Sequence, residues 1–440
     1  MTDIANNNFT VQQGDEALKN ENYELASSIF LELWNDPDKQ NGYLLSRLGK
    51  SLRKEEKYKE FVDICRALDV NKKYISNQYV QSELCWCLYH AHIKTYTDSE
   101  QEEYNNFINR AKYIVEHSHQ MSADMFCVNP YVLTVIKVVK VMKQRASKPY
   151  KNIIEWLNYL NPSMLPCDAY EYVDERGKQR ELASPKESYY YIISKAYEQT
   201  KEYEKCIDAC NAGLAQVEEL HYNNHIWLRA RKHYCQCLIL DDNTEAIAKY
   251  LEIADKEQHW YMYHKLSTLF FMKNQMDESL LYACKAYLGR FEYEKMVNLL
   301  FDTGLLWLNR DKTNNAKAFF HTSAYYRRQK GWRIPEELDF YIFDMGIDVN
   351  AKPNINQIMN IADNYVDDVE GTDKYFSGII NNIKADKKFG FISPDTGGDN
   401  VYFKLYNVKR GSKLYSGDKV LYLVKEVNGR TEAISVRKRV

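Results

Sequence analysis

Apolar positions recur at helical spacing through most of the chain, and short polar segments interrupt them. Small residues and an aromatic residue repeat at fixed offsets, because Gly14, Ala26 and Phe30 reappear as Gly304, Ala316 and Phe320. A small residue on each of two helices lets their backbones approach closely, and we expect the aromatic side chain to fill the groove between neighbouring pairs. The pattern predicts helical hairpins that stack on one another.

Weaker copies keep the same offsets. They are Gly49, Phe61 and Cys65; Ser194, Cys206 and Cys210; and Ser267, Ser279 and Ala283. From Ser194 onward the units begin near Ala230, Ser267 and Gly304, at intervals of 36 or 37 residues. Polar turns separate the two helices of a pair, at Lys19–Tyr23, Lys54–Tyr58, Thr200–Glu204 and Lys273–Asp277.

This register resembles a degenerate array of tetratricopeptide repeats, whose units have about 34 residues. The resemblance covers Met1 to about Arg333 and is weakest between Asn77 and Met164, where the repeat pattern fades. It implies an α-solenoid with a concave groove that binds a protein partner.

Two segments depart from the repeat. Four prolines surround the polar stretch Glu171–Leu182, in which Arg176 and Gly177 predict the turn of a small hairpin. After Leu338, the residues Asp339–Val366 predict one or two capping helices, followed by an acidic linker, Asp367–Lys374. A stacked array needs such a cap at its end.

From Tyr375 the pattern changes to short runs rich in β-branched and aromatic residues. Turns of sequence DTGGD, SGD and NGR separate them. Five strands in so short a stretch predict a small barrel of OB type. We therefore expect a mainly α chain with helical repeats over 1–150, an interruption over 151–187, further repeats and capping helices over 188–370, and an all-β barrel over 375–440.

Two strands of the predicted barrel resemble those of cold-shock domains, which read KGFGFI and VFVHF. Here they are KKFGFI, from Lys387 to Ile392, and VYFKL, from Val401 to Leu405. Because side chains alternate along a strand, Phe389 and Phe391 share the outer face with Tyr402 and Lys404, while Ile392, Val401 and Phe403 point inward. The resemblance implies binding of unpaired nucleic-acid bases by stacking.

The chain departs from the family pattern at several stacking positions. Asn382 and Ile383 stand where the family has Trp and Phe, and Lys404 and Leu405 stand where it has His and Phe. Each missing stack costs about 1 kcal/mol or more of binding free energy. We therefore expect weaker binding than in a typical family member.

Charge is distributed unevenly along the chain. The formal net charge is −2, but residues 377–440 contain 13 Lys or Arg against 6 Asp or Glu, which leaves the rest of the chain about −9. A basic module favours phosphate binding. The residues predicted to bind nucleic acid in the barrel are Lys384, Lys387, Lys388, Phe389, Phe391, Tyr402, Lys404, Arg437 and Lys438. A secondary basic and aromatic patch comprises Tyr326, Arg327, Arg328, Trp332 and Arg333.

Candidate catalytic motifs are weak. The chain has no GxxxxGK[ST] or GxGxxG motif. The cysteines form no C-x-x-C pair, and His221 and His225 lack the glutamate that a zinc protease places between its histidines. Arg110 and His117 match the R-x6-H spacing of helical HEPN ribonucleases, a match that arises easily by chance. We expect no enzyme activity, no metal site and no cofactor.

Three functional hypotheses follow. The first is a non-enzymatic adaptor that holds a protein partner in its helical groove and single-stranded RNA or DNA on its barrel. The alternative is a purely protein-binding regulatory subunit, for instance of a bacterial stress or defence system, with the barrel as a docking module. The third is a nuclease with an unrecognised helical site. The polar N-terminus and the lack of a long apolar run predict a cytoplasmic protein without a membrane span.

Overall fold

The computed structural model describes residues 9–68, 74, 76–97, 100–120, 130–145, 148–288, 293–370, 375–384, 386, 388–408, 414–427 and 430–438. It divides into two compact units, Met1–Cys235 and Gln236–Val440. Within the described residues, no helix is both long and apolar enough to cross a lipid bilayer.

The described residues of the first unit are mainly helical. These are α1 (Val11–Lys19), α2 (Tyr23–Trp34), α3 (Gly42–Lys54), α4 (Tyr58–Ala67), α5 (Gln78–Leu88), α6 (Gln101–His117), α7 (Pro130–Gln144), α8 (Tyr150–Leu157), α9 (Pro185–Thr200), α10 (Tyr203–Gln216) and α11 (Asn224–Ile239), which ends beyond Cys235. A π-helical turn, Tyr89–Ile93, continues α5. Between α8 and α9, β1 (Tyr170–Val173) pairs antiparallel with β2 (Gln179–Leu182), which confirms the predicted hairpin.

The second unit continues with helices and ends in strands. The helices are α12 (Thr244–Glu257), α13 (Trp260–Met272), α14 (Met276–Lys285), α15 (Val297–Leu308), α16 (Thr313–Gln329), α17 (Glu336–Asp344) and α18 (Ile355–Glu370). The last two lie where one or two capping helices were predicted. The predicted linker, however, began too early in the sequence, because α18 continues through Asp367 to Glu370. The Glu370 carboxylate pairs with the Lys285 ammonium at 2.5 Å. Residues 371–374 lie outside the described part.

The repeated glycines explain how paired helices pack. A Cβ atom on Gly14 would lie 2.5 Å from the Phe30 ring, and one on Gly304 would lie 2.4 Å from the Phe320 ring. Each ring therefore lies against the glycine of its own hairpin, not only between hairpins as the sequence suggested. Phe320 does both, since it also stacks on Tyr341 of α17, with ring centroids 4.7 Å apart.

Five of the described hairpins share a turn geometry that the spacing had not revealed. In these five hairpins, a non-glycine residue with positive φ lies seven residues after the small residue of the first helix, at Glu21, Glu56, Lys201, Asn274 and Asp311, with φ between 58° and 64°. The following N–H donates to the carbonyl five residues earlier, as Asn22 does to Ala17 at 2.9 Å. This is a Schellman C-cap, which ends the first helix and starts the second. The structure thereby confirms the prediction of a mainly α chain with tetratricopeptide-like repeats.

The C-terminal strands form a small closed barrel. They are β3 (Phe376–Lys384), β4 (Phe389–Pro394), β5 (Val401–Lys404), β6 (Lys419–Val427) and β7 (Arg430–Lys438), in the order β3-β4-β5-β7-β6, and β6 closes on β3. Neighbours are antiparallel except β5 and β7, which are parallel. The interior consists of Ile380, Ile392, Phe403, Val420, Tyr422, Ala433 and Val436. The predicted all-β barrel is confirmed.

Candidate nucleic-acid interface

Three aromatic rings cluster on the outside of β4 and β5. The centroid distances are 5.6 Å between Phe389 and Phe391, 5.5 Å between Phe389 and Tyr402, and 5.8 Å between Phe391 and Tyr402. All three side chains are half-buried, so each ring keeps part of its surface accessible to solvent. We refer to Phe389, Phe391 and Tyr402 as the aromatic face.

Strand pairing and a glycine position the aromatic face. Phe391 lies opposite Tyr402 across the β4–β5 pair, and the intervening Gly390 lies opposite the buried Phe403. A Cβ atom on Gly390 would come within 2.6 Å of the Phe403 ring. Glycine therefore lets the core ring approach the backbone of β4 while the two flanking phenylalanines stay outside.

Two of the predicted lysines lie at the turn between β3 and β4, which leads into the aromatic face. The Lys384 ammonium is 5.8 Å from the centroid of the Phe389 ring. Lys388 is exposed and adopts a φ of 60°, and its carbonyl accepts a hydrogen bond from the N–H of Leu405 at 2.9 Å, which fixes the turn. Ala385 and Lys387 of this turn lie outside the described residues, so the structure does not place the predicted side chain of Lys387.

Lys404 is close to the aromatic face but is already engaged. Its ammonium lies 3.0 Å from Glu432 of β7, and this carboxylate also accepts a hydrogen bond from the Asn407 amide at 2.8 Å. The hydrogen bond with Glu432, followed by one with Tyr406, raises the pKa of Lys404, so its ammonium stays charged and paired. The nearly buried Glu432 was not anticipated, because its pairing with Tyr402 is a contact between non-consecutive strands.

The two predicted residues of β7 lie away from the aromatic face. Arg437 pairs with the Asp367 carboxylate of α18 and lies over the Tyr375 ring, 4.0 Å from its centroid. Lys438 pairs with Asp418 at 2.6 Å. Lys438 pairs with Val420 of β6, and Val420 pairs with Gly378 of β3. Gly378 is six residues away from Lys384 along β3. The structure thus does not bring Arg437 and Lys438 together with the other predicted residues.

The secondary patch is only partly a surface feature. The Arg327 guanidinium is buried and donates to the Asn298 side-chain carbonyl at 2.5 Å, while Tyr326 stacks on Tyr293 with centroids 6.0 Å apart. Arg333 pairs with Glu336 at 3.1 Å. Arg328 and Trp332 are exposed. Burial therefore removes Arg327 from the predicted phosphate-binding set, because helical periodicity did not reveal which side of α16 faces the core.

Other chemical groups are sparse in the described part of the chain. No group of three or more His, Cys, Asp or Glu side chains there is arranged to hold a metal ion. Nine cysteines are described and all are free thiols, of which only Cys167 is exposed. Burial raises the pKa of the Cys65 thiol to about 12.

Comparison with known families assigns the barrel. Residues 376–439 match the family model described as the "Cold-shock" DNA-binding domain. The barrel is of cold-shock type. This match spans all five strands and includes the aromatic face, so the resemblance of two strands extends to the whole barrel.

Comparison with solved structures returns a helical-repeat protein. The chain is similar to the crystal structure of the P58(IPK) TPR domain at 14% sequence identity, over 82% of this chain and 98% of that chain, with a TM-score of 0.23. No curated protein matches the chain.

Proposed function

We propose that the protein is a non-catalytic adaptor whose barrel binds single-stranded RNA or DNA and whose helical repeats bind a protein partner. The observation that carries the proposal is the aromatic face, three rings within 5.8 Å of one another on a barrel of cold-shock type. Bases stack on exposed aromatic rings for about 1–3 kcal/mol each, largely without regard to sequence. Tethering the two modules in one chain raises the local concentration of one ligand near the other.

The positions of two lysines indicate which path a single strand would follow across the barrel. Lys384 lies over Phe389, Lys388 precedes Phe389 in the chain, and neither lysine forms an ion pair with a carboxylate among the described residues. Phosphates of a strand that stacks on Phe389 would meet these two ammonium groups. We therefore expect the strand to follow β4 and the β3–β4 turn.

The test is fluorescence anisotropy of the full chain with labelled single-stranded RNA and DNA oligomers. Phe389→Ala with Phe391→Ala should raise the dissociation constant about 30-fold or more, which corresponds to the loss of about 2 kcal/mol of stacking. Phe376→Ala is the matched control, since Phe376 is an exposed aromatic residue of β3 outside the aromatic face. Unchanged affinity in the double variant, or an equal loss in the control, would remove the aromatic face from the proposal.

A protein-docking barrel is the second candidate, and the ion pairs favour it. Three predicted phosphate-binding side chains, Lys404, Arg437 and Lys438, already pair with carboxylates. A docking face predicts that binding to oligonucleotides is weak and nearly independent of salt, whereas genuine phosphate contacts lose affinity steeply as salt rises. A salt series on the same oligomers therefore decides between the two functions.

A further inference from the structure

A second basic and aromatic site lies in the first compact unit and contains none of the predicted nucleic-acid-binding residues. A cavity of about 520 Å³ opens between α3, α5 with its π-helical turn, and α7. Its walls carry three cationic side chains, Arg53, Lys54 and Lys94, and the apolar Leu133. The remaining wall is aromatic and consists of Trp86, Tyr89 and His90. We call this cavity the helical pocket.

The aromatic wall is an ordered stack. The rings of Trp86 and His90 are 5.7 Å apart and inclined by 25°, and His90 stacks on Tyr58 at 4.6 Å with an inclination of 12°. Tyr89 meets His90 edge-on at 5.3 Å. Burial, then the charges of Lys94 and Arg53, lower the pKa of His90, so this ring is neutral near pH 7. Tyr58 covers part of the His90 ring, and the surfaces of Trp86, Tyr89 and His90 that line the cavity are uncharged and can contact a planar ligand.

The cations surround this wall. The Arg53 guanidinium lies 5.8 Å from the Trp86 ring centroid and pairs with Glu83 at 2.6 Å. Lys54 and Lys94 are exposed and form no ion pair with a carboxylate among the described residues. Two positive charges thus remain available at the pocket for an anionic ligand.

The backbone at the pocket is unusual. Five residues, Tyr89–Ile93, form a π-helical turn, which closes with the N–H of Lys94 donating to the Tyr89 carbonyl at 2.8 Å. π-helical turns are rare and occur frequently at functional sites. This one carries Tyr89 and His90 of the aromatic wall, and the cationic Lys94 follows it directly.

We propose that the helical pocket binds a nucleotide, with the base stacked on the aromatic wall and the phosphate held by Lys54 and Lys94. An acidic peptide would use the cations but would place no planar group against the aromatic wall, so the combination of rings and cations favours the nucleotide. The same chemistry comes from two sources, a free nucleotide or one unpaired nucleotide of a strand. This proposal is independent of the barrel.

The test is isothermal titration calorimetry of the full chain at low salt with AMP, adenosine, inorganic phosphate and a six-residue glutamate peptide. AMP should bind at least tenfold more tightly than adenosine or phosphate, because only AMP supplies both stacking and charge. Lys54→Gln with Lys94→Gln should weaken AMP binding at least tenfold. The control, Lys112→Gln with Lys140→Gln, removes the same charge from exposed positions outside the pocket and should leave the affinity unchanged.

Three further comparisons make the outcome decisive. Trp86→Leu should weaken AMP binding without abolishing phosphate binding. If replacement of this half-buried residue prevents folding, the Lys54 and Lys94 variant still tests the proposal. Phe389→Ala with Phe391→Ala should leave AMP binding intact, which separates this site from the barrel. A single-stranded oligomer that loses affinity in the Lys54 and Lys94 variant, without binding of AMP, would identify the strand as the source.

The proposal is overturned by any of three results. These are the absence of an effect of the Lys54 and Lys94 variant on both AMP and the oligomer, an equal effect of the control variant, and binding of the glutamate peptide or of phosphate as tight as that of AMP. The last result would indicate a site for anions in general.

Discussion

The aromatic face on β4 and β5 and the C-terminal end of β7 differ in the partners of their cations. Both place basic residues beside aromatic ones. Near the aromatic face, Lys384 lies over Phe389 without a carboxylate partner among the described residues. At the end of β7, Arg437 lies over Tyr375 and pairs with Asp367, and Lys438 pairs with Asp418.

The difference shows that net charge overstates the capacity of this barrel to bind phosphate. A cation that already has a carboxylate partner must exchange it for a phosphate, and the exchange yields little free energy. The excess of seven positive charges in residues 377–440 is therefore not evenly available. We expect the β3–β4 turn to contribute most of the salt-dependent affinity and the end of β7 to contribute stability.

The largest expected effect concerns Arg437. Its side chain is 11% exposed and Asp367 is 15% exposed, so Arg437→Gln removes a guanidinium that pairs with a nearly buried carboxylate. Loss of such a partner costs about 1–3 kcal/mol of folding free energy. We expect the free energy of unfolding measured in urea to fall by this amount and the affinity for single strands to change by less than twofold.

Arg430→Gln is the control for this experiment, since Arg430 is exposed on the same strand. It should change neither quantity. A tenfold loss of single-strand affinity in Arg437→Gln, with unaltered unfolding, would show that the pair with Asp367 opens and that Arg437 contacts phosphate. The contrast between the two regions would then fail.

The second prediction concerns salt dependence. For single strands, each neutralised phosphate contributes about 0.7 to the slope of log affinity against log salt. Lys384→Gln with Lys388→Gln should therefore lower this slope by about 1.4 in anisotropy titrations. Lys438→Gln removes one charge from the same barrel and should leave the slope unchanged. Equal slope changes per lysine at both places would mean that the ion pair with Asp418 gives way to phosphate.

Local patterns in the sequence predicted most of the fold. The offsets of Gly14 and Gly304 identified hairpins because each glycine and its phenylalanine lie in consecutive helices. Alternation along β4 likewise placed Phe389 and Phe391 on the outside of the barrel, because neighbouring side chains of one strand point to opposite faces. These contacts involve residues close in sequence, so spacing alone carries the information.

Contacts between distant residues were beyond such reasoning. Arg437 and Asp367 are separated by 70 positions, and Lys404 and Glu432 by 28. Their pairing depends on how β7 packs against α18 and beside β5. The helical pocket is a similar case, because its walls come from three helices whose order in the sequence gives no hint that Arg53, Trp86 and Leu133 meet.

The smallest expected effect is a change in one titration. The hydrogen bond from Lys438, followed by one from the N–H of Tyr415, lowers the pKa of Asp418 below its usual value. A carboxyl group whose pKa is lower in the folded state stabilises the fold above its unfolded pKa of about 3.9, and this contribution disappears as the pH falls through the folded value.

Lys438→Gln removes the first cause, so the pKa of Asp418 should rise towards its usual value in a carbon-detected NMR titration. The Tyr415 N–H remains and should keep part of the shift. An unaltered pKa in Lys438→Gln would show that Lys438 does not hold Asp418 in solution, and its charge would then be as available to phosphate as that of Lys388.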